Sequence, residues 1–126
     1  PAGALVKHLA PIVGGGGGRT AMAGPVYYHD PKSASAARLP AEYDHTLFIY
    51  EWSRNWIIAV HLDAENRIAT DASGKLRMER FCPEMTFKRP MDLEVGADGC
   101  LYVLENGTAW LGNRDTQIVR LEYVGR

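Results

Sequence analysis

Four histidines, His8, His29, His45 and His61, are the first residues to weigh for chemistry, because imidazole titrates near neutrality and ligates metals. Their spacing offers no helical His-x-x-x-His pair, so a metal centre is not written into them. His29-Asp30 is a dyad only by adjacency. Ser33, Ser35, Ser53 and Ser73 all fall in polar stretches, and no Gly-x-Ser-x-Gly nucleophile elbow occurs. Asp63, Glu65, Asn66 and Asp71 present oxygen ligands suited to calcium, at a spacing unlike that of an EF-hand loop. Trp52, Trp56 and Trp110 offer flat faces on which a sugar ring stacks, although aromatic residues equally serve as core of a small sheet.

Gly14 to Gly18, followed by Arg19-Thr20, invites comparison with a phosphate-binding loop. That motif requires glycine where Val13 stands and lysine where Arg19 stands, and no helical pattern follows to supply an amino-terminal dipole. The tract reads as a flexible loop. Cys82 and Cys100 are too few for a disulfide framework and form no Cys-x-x-Cys pair. Buried thiols acting as small hydrophobes, or one disulfide, are the two readings.

The elements that must position these residues are strands. Arg89 to Asn106 reads as a β-hairpin: Met91, Leu93 and Val95 alternate with Asp92, Glu94 and Gly96, Asp98-Gly99 turns the chain, and Cys100 to Glu105 returns. Thr46 to Trp52 is rich in β-branched and aromatic residues, as is Trp56 to Leu62 after a Ser53-Arg54-Asn55 turn, so two adjacent antiparallel strands are expected. A strand led by Pro25 precedes them, and Leu76 to Phe81 follows until Pro83 stops it. Pro1 to Ile12 supplies one edge strand near Ala4 to Leu9.

A repeat runs through this pattern. Leu47-Phe48-Ile49-Tyr50-Glu51 matches Leu101-Tyr102-Val103-Leu104-Glu105 at a separation of 54 residues, close to propeller-blade periods of about 40 to 50. Each copy is preceded by a proline-led strand and followed by a partner strand, Ile57 to Leu62 in one and Ile118 to Tyr123 in the other. No helix-period segment is long enough for a parallel crossover. The expected fold is all-β, with antiparallel, four-stranded propeller-like blades, about two per chain. Residues 1–18 form an amino-terminal segment with its glycine loop, and the two units occupy approximately 19–83 and 84–126.

Composition narrows the partners. The 126 residues carry 14 Lys and Arg against 15 Asp and Glu, which leaves no basic excess to attract nucleic acid, and no apolar run is long enough for a membrane-spanning helix. The chain begins at Pro1, so a missing export signal does not settle the compartment.

The runs Arg19 to Tyr28, Leu47 to Ile57, Arg89 to Glu105 and Gln117 to Tyr123 resemble the last part of the glucose/sorbosone dehydrogenase family, six-bladed propellers similar to soluble quinoprotein glucose dehydrogenase. The similarity runs from Arg19 onward and spans about a third of such a propeller. It implies a periplasmic or extracellular location and a top face where pyrroloquinoline quinone is held through its carboxylates by basic side chains, with calcium assisting and a histidine as base. The counterparts that the resemblance implies here are Arg54 and Arg89, whose guanidinium groups suit bidentate carboxylate recognition. Met91 departs from the basic residue some quinoproteins carry near this position, and the blades that supply the base and the metal ligands are not in the chain. Two functions follow. One is a binding or assembly module that keeps the propeller hairpins, its partners being further blades or identical subunits. Three copies would complete six blades as a homotrimer. The other is part of a sugar dehydrogenase site completed by other blades.

Overall fold

A computed structural model describes residues 20–125, and the strand expected near Ala4 to Leu9, the Gly14 to Gly18 loop and His8 lie outside the described residues. Seven strands follow one another: β1 (Ala21–Tyr27), β2 (Thr46–Glu51), β3 (Trp56–His61), β4 (Met78–Arg80), β5 (Pro90–Val95), β6 (Leu101–Glu105) and β7 (Gln117–Leu121). They form two antiparallel sheets, β1-β2-β3-β4 and β5-β6-β7, and the chain is all-β. The second sheet has three strands among the described residues, one fewer than expected of a blade. A 3-10 turn, Ala41–Tyr43, is the sole helical element among them.

The β2–β3 hairpin forms where the β-branched and aromatic runs place it, with Thr46 opposite His61 and Glu51 opposite Trp56. Its turn closes through Asn55, whose φ of 58° is tolerated because a short amide side chain relieves the left-handed clash. The β5–β6 hairpin closes over Gly96–Gly99: the Gly99 amide donates to Gly96 O at 2.8 Å, and Gly99 alone takes the left-handed region, at φ 74°. Asp98 contributes its side chain instead, accepting from the Cys100 amide at 3.0 Å.

Both prolines disturb a ladder at an edge. Pro90 opens β5, but the register shifts between Pro90 and Asp92, and the bulge turns Met91 out to 41% exposure while Leu93 is buried. Met91 therefore leaves the alternation that its spacing implied. Pro25 lies inside β1, at a second bulge between Ala23 and Val26, on an edge strand as a residue without an N–H requires.

One core joins the two sheets. Phe48, Tyr50, Ile57 and Ala59 from β2 and β3 pack with Leu93, Leu101, Val103 and Leu121 from β5, β6 and β7, and Tyr27, Leu39, Phe81 and Phe87 close its margins. The opposite face of the first sheet carries a smaller cluster, Trp56, Ile58 and Val60 with Leu47, Ile49, Leu62, Ile68 and Met78. The repeated strands thus present different faces to the shared core. In β2 the buried pair is Phe48 and Tyr50, whereas in β6 it is Leu101 and Val103, the counterparts of Leu47 and Ile49.

Candidate functional site

Two buried carboxylates organise one rim of the molecule. Glu51 ends β2 at 2% exposure, accepts the Thr20 amide on Oε1 at 2.6 Å, and takes the Ser53 hydroxyl and the Arg54 amide as well. Glu105 ends β6 at 2% exposure and accepts the Lys88 amide on Oε1 at 2.8 Å and the Gln117 side-chain amide on Oε2 at 2.8 Å. A buried carboxylate is tolerable when donors saturate it, and these donors come from the residues just before β1 and β5, the turn after β2 and the first residue of β7. The two glutamates therefore fix the Trp52–Asn55 turn, the Lys88-Arg89 segment before β5 and the start of β7.

A second set of bonds holds up the loop from Asn106 to Thr116. Asp115 accepts from the Thr108 hydroxyl at 2.6 Å and from its amide, and pairs with Lys88 Nζ at 3.4 Å. The Thr108 hydroxyl, then its amide, hold the Asp115 carboxyl down to about 2. Asn113 clamps Ala109 from both sides, with Oδ1 accepting its N–H at 2.6 Å and Nδ2 donating to its C=O at 2.9 Å. Trp110 and Leu111 stand out from this clamp at 64% and 82% exposure.

Arg89 joins the turn of the first sheet to the loop of the second. Its amide donates to Asn55 Oδ1 at 2.9 Å, and its backbone is held at φ 56°, a left-handed conformation that bulky residues adopt only when their surroundings impose it. Its guanidinium carbon lies 4.6 Å from the centre of the Trp52 ring and 5.5 Å from that of Trp110. The two indoles meet edge to face, with centroids 4.6 Å apart. Nε reaches Thr108 O at 3.4 Å, and among the described residues the two terminal nitrogens have no hydrogen-bond partner. A guanidinium placed over aromatic rings gains cation–π attraction while its N–H groups can still bond a ligand.

Arg54 stands on the same rim, one residue before Asn55. Its amide is taken by Glu51, and its Nε is buried without a partner among the described residues. Trp56 is buried in the smaller cluster, so of the three tryptophans Trp52 and Trp110 remain for the rim.

The other candidate residues are spent on structure. His29 Nδ1 lies 3.2 Å from the Tyr27 hydroxyl and 3.3 Å from Leu39 O, and Asp30 caps its own turn by accepting the Lys32 amide, so adjacency makes no dyad of them. His45 pairs with Asp44 at 3.2 Å. Asp63 accepts the Glu65 and Arg67 amides and Asp71 accepts those of Ser73 and Lys75, so each closes its own turn. Both cysteines are free, and burial pushes the Cys82 thiol up to about 11 and raises that of Cys100.

One cluster has no counterpart in the sequence reading. His61, buried at the end of β3, meets Thr46 Oγ1 through Nδ1 and Glu79 Oε1 through Nε2, each at 3.2 Å, under a parallel Tyr43 ring. Burial first, and the Glu79 charge next, push the Tyr43 hydroxyl up to about 12. The cluster borders an open groove of about 720 Å³ that Arg77, Arg80 and Cys82 also line. Both ring nitrogens of His61 are occupied, which makes it a satisfied core histidine rather than a poised base.

Cofactor fit divides in two. The guanidinium groups of Arg54 and Arg89 are of the type that suits a planar molecule bearing carboxylates, and the terminal nitrogens of Arg89 have no partner among the described residues, whereas the unpartnered Nε of Arg54 is buried away from any ligand. Calcium finds no matching set, since no group of three or more His, Cys, Asp or Glu that would hold a metal ion occurs among the described residues. No family model matches the sequence, and comparisons with curated proteins and with solved structures return no match.

Proposed function

We propose that this chain is a binding and assembly module, a two-blade portion of a β-propeller related to the quinoprotein sugar dehydrogenases, which takes a flat, anionic or sugar-like ligand on the Trp52–Arg89–Trp110 rim. The observation that carries the binding reading is the Arg89 guanidinium, lying over two indoles with its terminal nitrogens unpaired among the described residues. Exposed tryptophan beside a fixed cation provides a stacking face and a charge together, the combination that sugar acids and aromatic carboxylates need.

The propeller relationship is supported by the way the sheets meet. Equivalent strands turn opposite faces toward one core, as blades do when each is rotated on from the last, whereas a two-fold sandwich would bring like faces together. On this reading the far face of the second sheet, where Leu104 is half-buried and Ile118 is 70% exposed, is where further blades or identical subunits pack. An exported location belongs to the same proposal.

The test is a tryptophan-fluorescence titration with pyrroloquinoline quinone and, in parallel, with a neutral sugar and its uronic acid, on wild type and Arg89→Ala. Saturable quenching that Arg89→Ala weakens at least tenfold supports the reading. Only linear, unsaturable changes with all three ligands would overturn it.

The position of Arg54 beside Asn55, which holds the Arg89 amide, favours a second reading, as part of a sugar dehydrogenase site completed by other blades or subunits. There Arg54 and Arg89 would hold the quinone's carboxylates, and Trp110 would shield one face from water. Pyrroloquinoline quinone, when bound, supplies the two-electron oxidising capacity, and calcium ligands would come from outside the described residues. Arg54→Ala weakening quinone binding, with no effect on uronic acid binding, separates this reading from the first.

A further inference from the structure

Residues 108–112 read Thr-Ala-Trp-Leu-Gly, and every one of them is exposed and uncharged. Leu111 is the more exposed of the two large side chains, and Trp110 keeps most of its surface in solvent although one edge meets Trp52. A solvated loop ordinarily interleaves polar side chains, so the run Ala109-Trp110-Leu111-Gly112 at its tip marks a contact surface.

The tip is held out rather than left to collapse. Asn113 clamps Ala109 across it, and Asp115 takes the Thr108 amide and hydroxyl at its base. A contact made here orders little additional chain, so its apolar gain is not offset by fixing a loose loop.

Cations surround the tip. Arg114 is exposed in the same loop, the Arg89 guanidinium carbon lies 5.5 Å from the centre of the Trp110 ring, and Arg54 follows Trp52, the neighbour of Trp110, by two residues. None of the three arginines forms an ion pair among the described residues, where the pairs made by arginine belong to Arg67 and Arg120. The carboxylates of these loops are engaged: Glu51 and Glu105 are buried among their donors, and Asp115 pairs with Lys88.

We infer that the Trp110–Leu111 tip is a membrane-surface anchor, which enters the headgroup region of an anionic lipid bilayer while Arg54, Arg89 and Arg114 lie at the level of the lipid phosphates. Tryptophan settles at headgroup level, and an apolar neighbour reaches the acyl boundary. A partner protein needs roughly 800 Å² of complementary surface on each side, more than a two-residue protrusion presents, whereas a lipid surface is fluid and closes around a convex tip. With so little apolar area, the binding is weak and reversible. Its decisive residues, Leu111 and Arg114, take no part in the Trp52–Arg89–Trp110 ligand rim, so the inference stands or falls separately from that reading.

Co-sedimentation with phosphatidylcholine vesicles, with and without phosphatidylserine, tests it on wild type, Leu111→Ser and Arg114→Glu. Wild type is expected to bind the anionic vesicles at least about tenfold more tightly than the neutral ones, with its tryptophan emission moved to shorter wavelength and the binding weakened by salt. Leu111→Ser is expected to lose about tenfold, through lost apolar burial, and Arg114→Glu at least about fivefold. Both variants are expected to keep the wild-type circular dichroism and to give the wild-type result in the soluble-ligand titration, which separates loss of the anchor from loss of the ligand rim. A wild type that leaves both vesicle types unbound, whether or not Leu111→Ser alters its self-association, would overturn the inference. So would equal binding to neutral and anionic vesicles, or a folded Leu111→Ser variant that binds like wild type.

Discussion

Glu51 and Glu105 end equivalent strands 54 positions apart, and each is a buried carboxylate that accepts the main-chain amide leading into the first strand of its own sheet. The acceptor recurs while the accessory donors differ, Ser53 and Arg54 in one sheet and Gln117 in the other. The shared part of the repeat is therefore a way of tying a sheet's first strand to the end of its second. The variable part builds the rim.

Glu105→Ala removes the acceptor from two donors in a buried setting. A loss of about 2 kcal/mol is expected, since hydrogen bonds to charged groups contribute roughly 1.5–3 kcal/mol each and some are recovered by water. Glu105→Gln keeps one acceptor oxygen and is expected to lose less. Urea denaturation of the two variants checks the order, and equal losses would show that the charge rather than the acceptor matters.

Gly107 has a φ of 113°, and a Cβ there would meet Asp115 Oδ1 at 2.5 Å and Asn113 at 2.8 Å. Gly107→Ala is expected to cost about 1–3 kcal/mol through backbone strain. It is also expected to displace the clamp that holds Trp110, so the tryptophan emission of the folded variant shifts relative to wild type. An unchanged melting temperature and spectrum would show that the loop is not set by this residue.

The Asp98 carboxyl is held down to about 2, chiefly by the Cys100 amide, with Arg120 and the Tyr102 hydroxyl adding to it. In the unfolded chain an aspartate titrates near 3.9. A group whose folded value is depressed contributes stability that is present above about pH 4 and is lost as pH falls toward about 2. Asp115 acts in the same direction in the same window. Urea midpoints measured from pH 5 to pH 2 should fall, and Asp98→Asn should make that fall shallower. A variant with the wild-type slope would remove Asp98 from the account.

The strands were legible wherever β-branched and aromatic residues are dense, as in Thr46 to Glu51 and Trp56 to His61. Met91 was not, because a bulge leaves no mark in an alternating pattern and shifts the chain by one residue. The rim was only half legible. The family resemblance points to Arg54 and Arg89 together, but the placement of Arg89 over Trp52 and Trp110 depends on sheet packing that joins residues 37 and 21 positions apart. Glu51 and Glu105 were seen as part of the repeat, yet an acid at a strand end reads as a solvated residue until its donors are known. Glu79 reaches His61 from the neighbouring strand β4, which no linear spacing announces.

A methyl-edited NOESY spectrum tests the central relationship most directly, namely that equivalent strands offer opposite faces to one core. The account predicts cross-peaks from the Phe48 and Tyr50 rings to methyl groups of Leu93, Leu101 and Val103, while Leu47 and Ile49 contact Ile58, Val60 and Met78. Cross-peaks joining Leu47 or Ile49 to Leu101 or Val103 would contradict it, because like faces would then meet as in a two-fold sandwich.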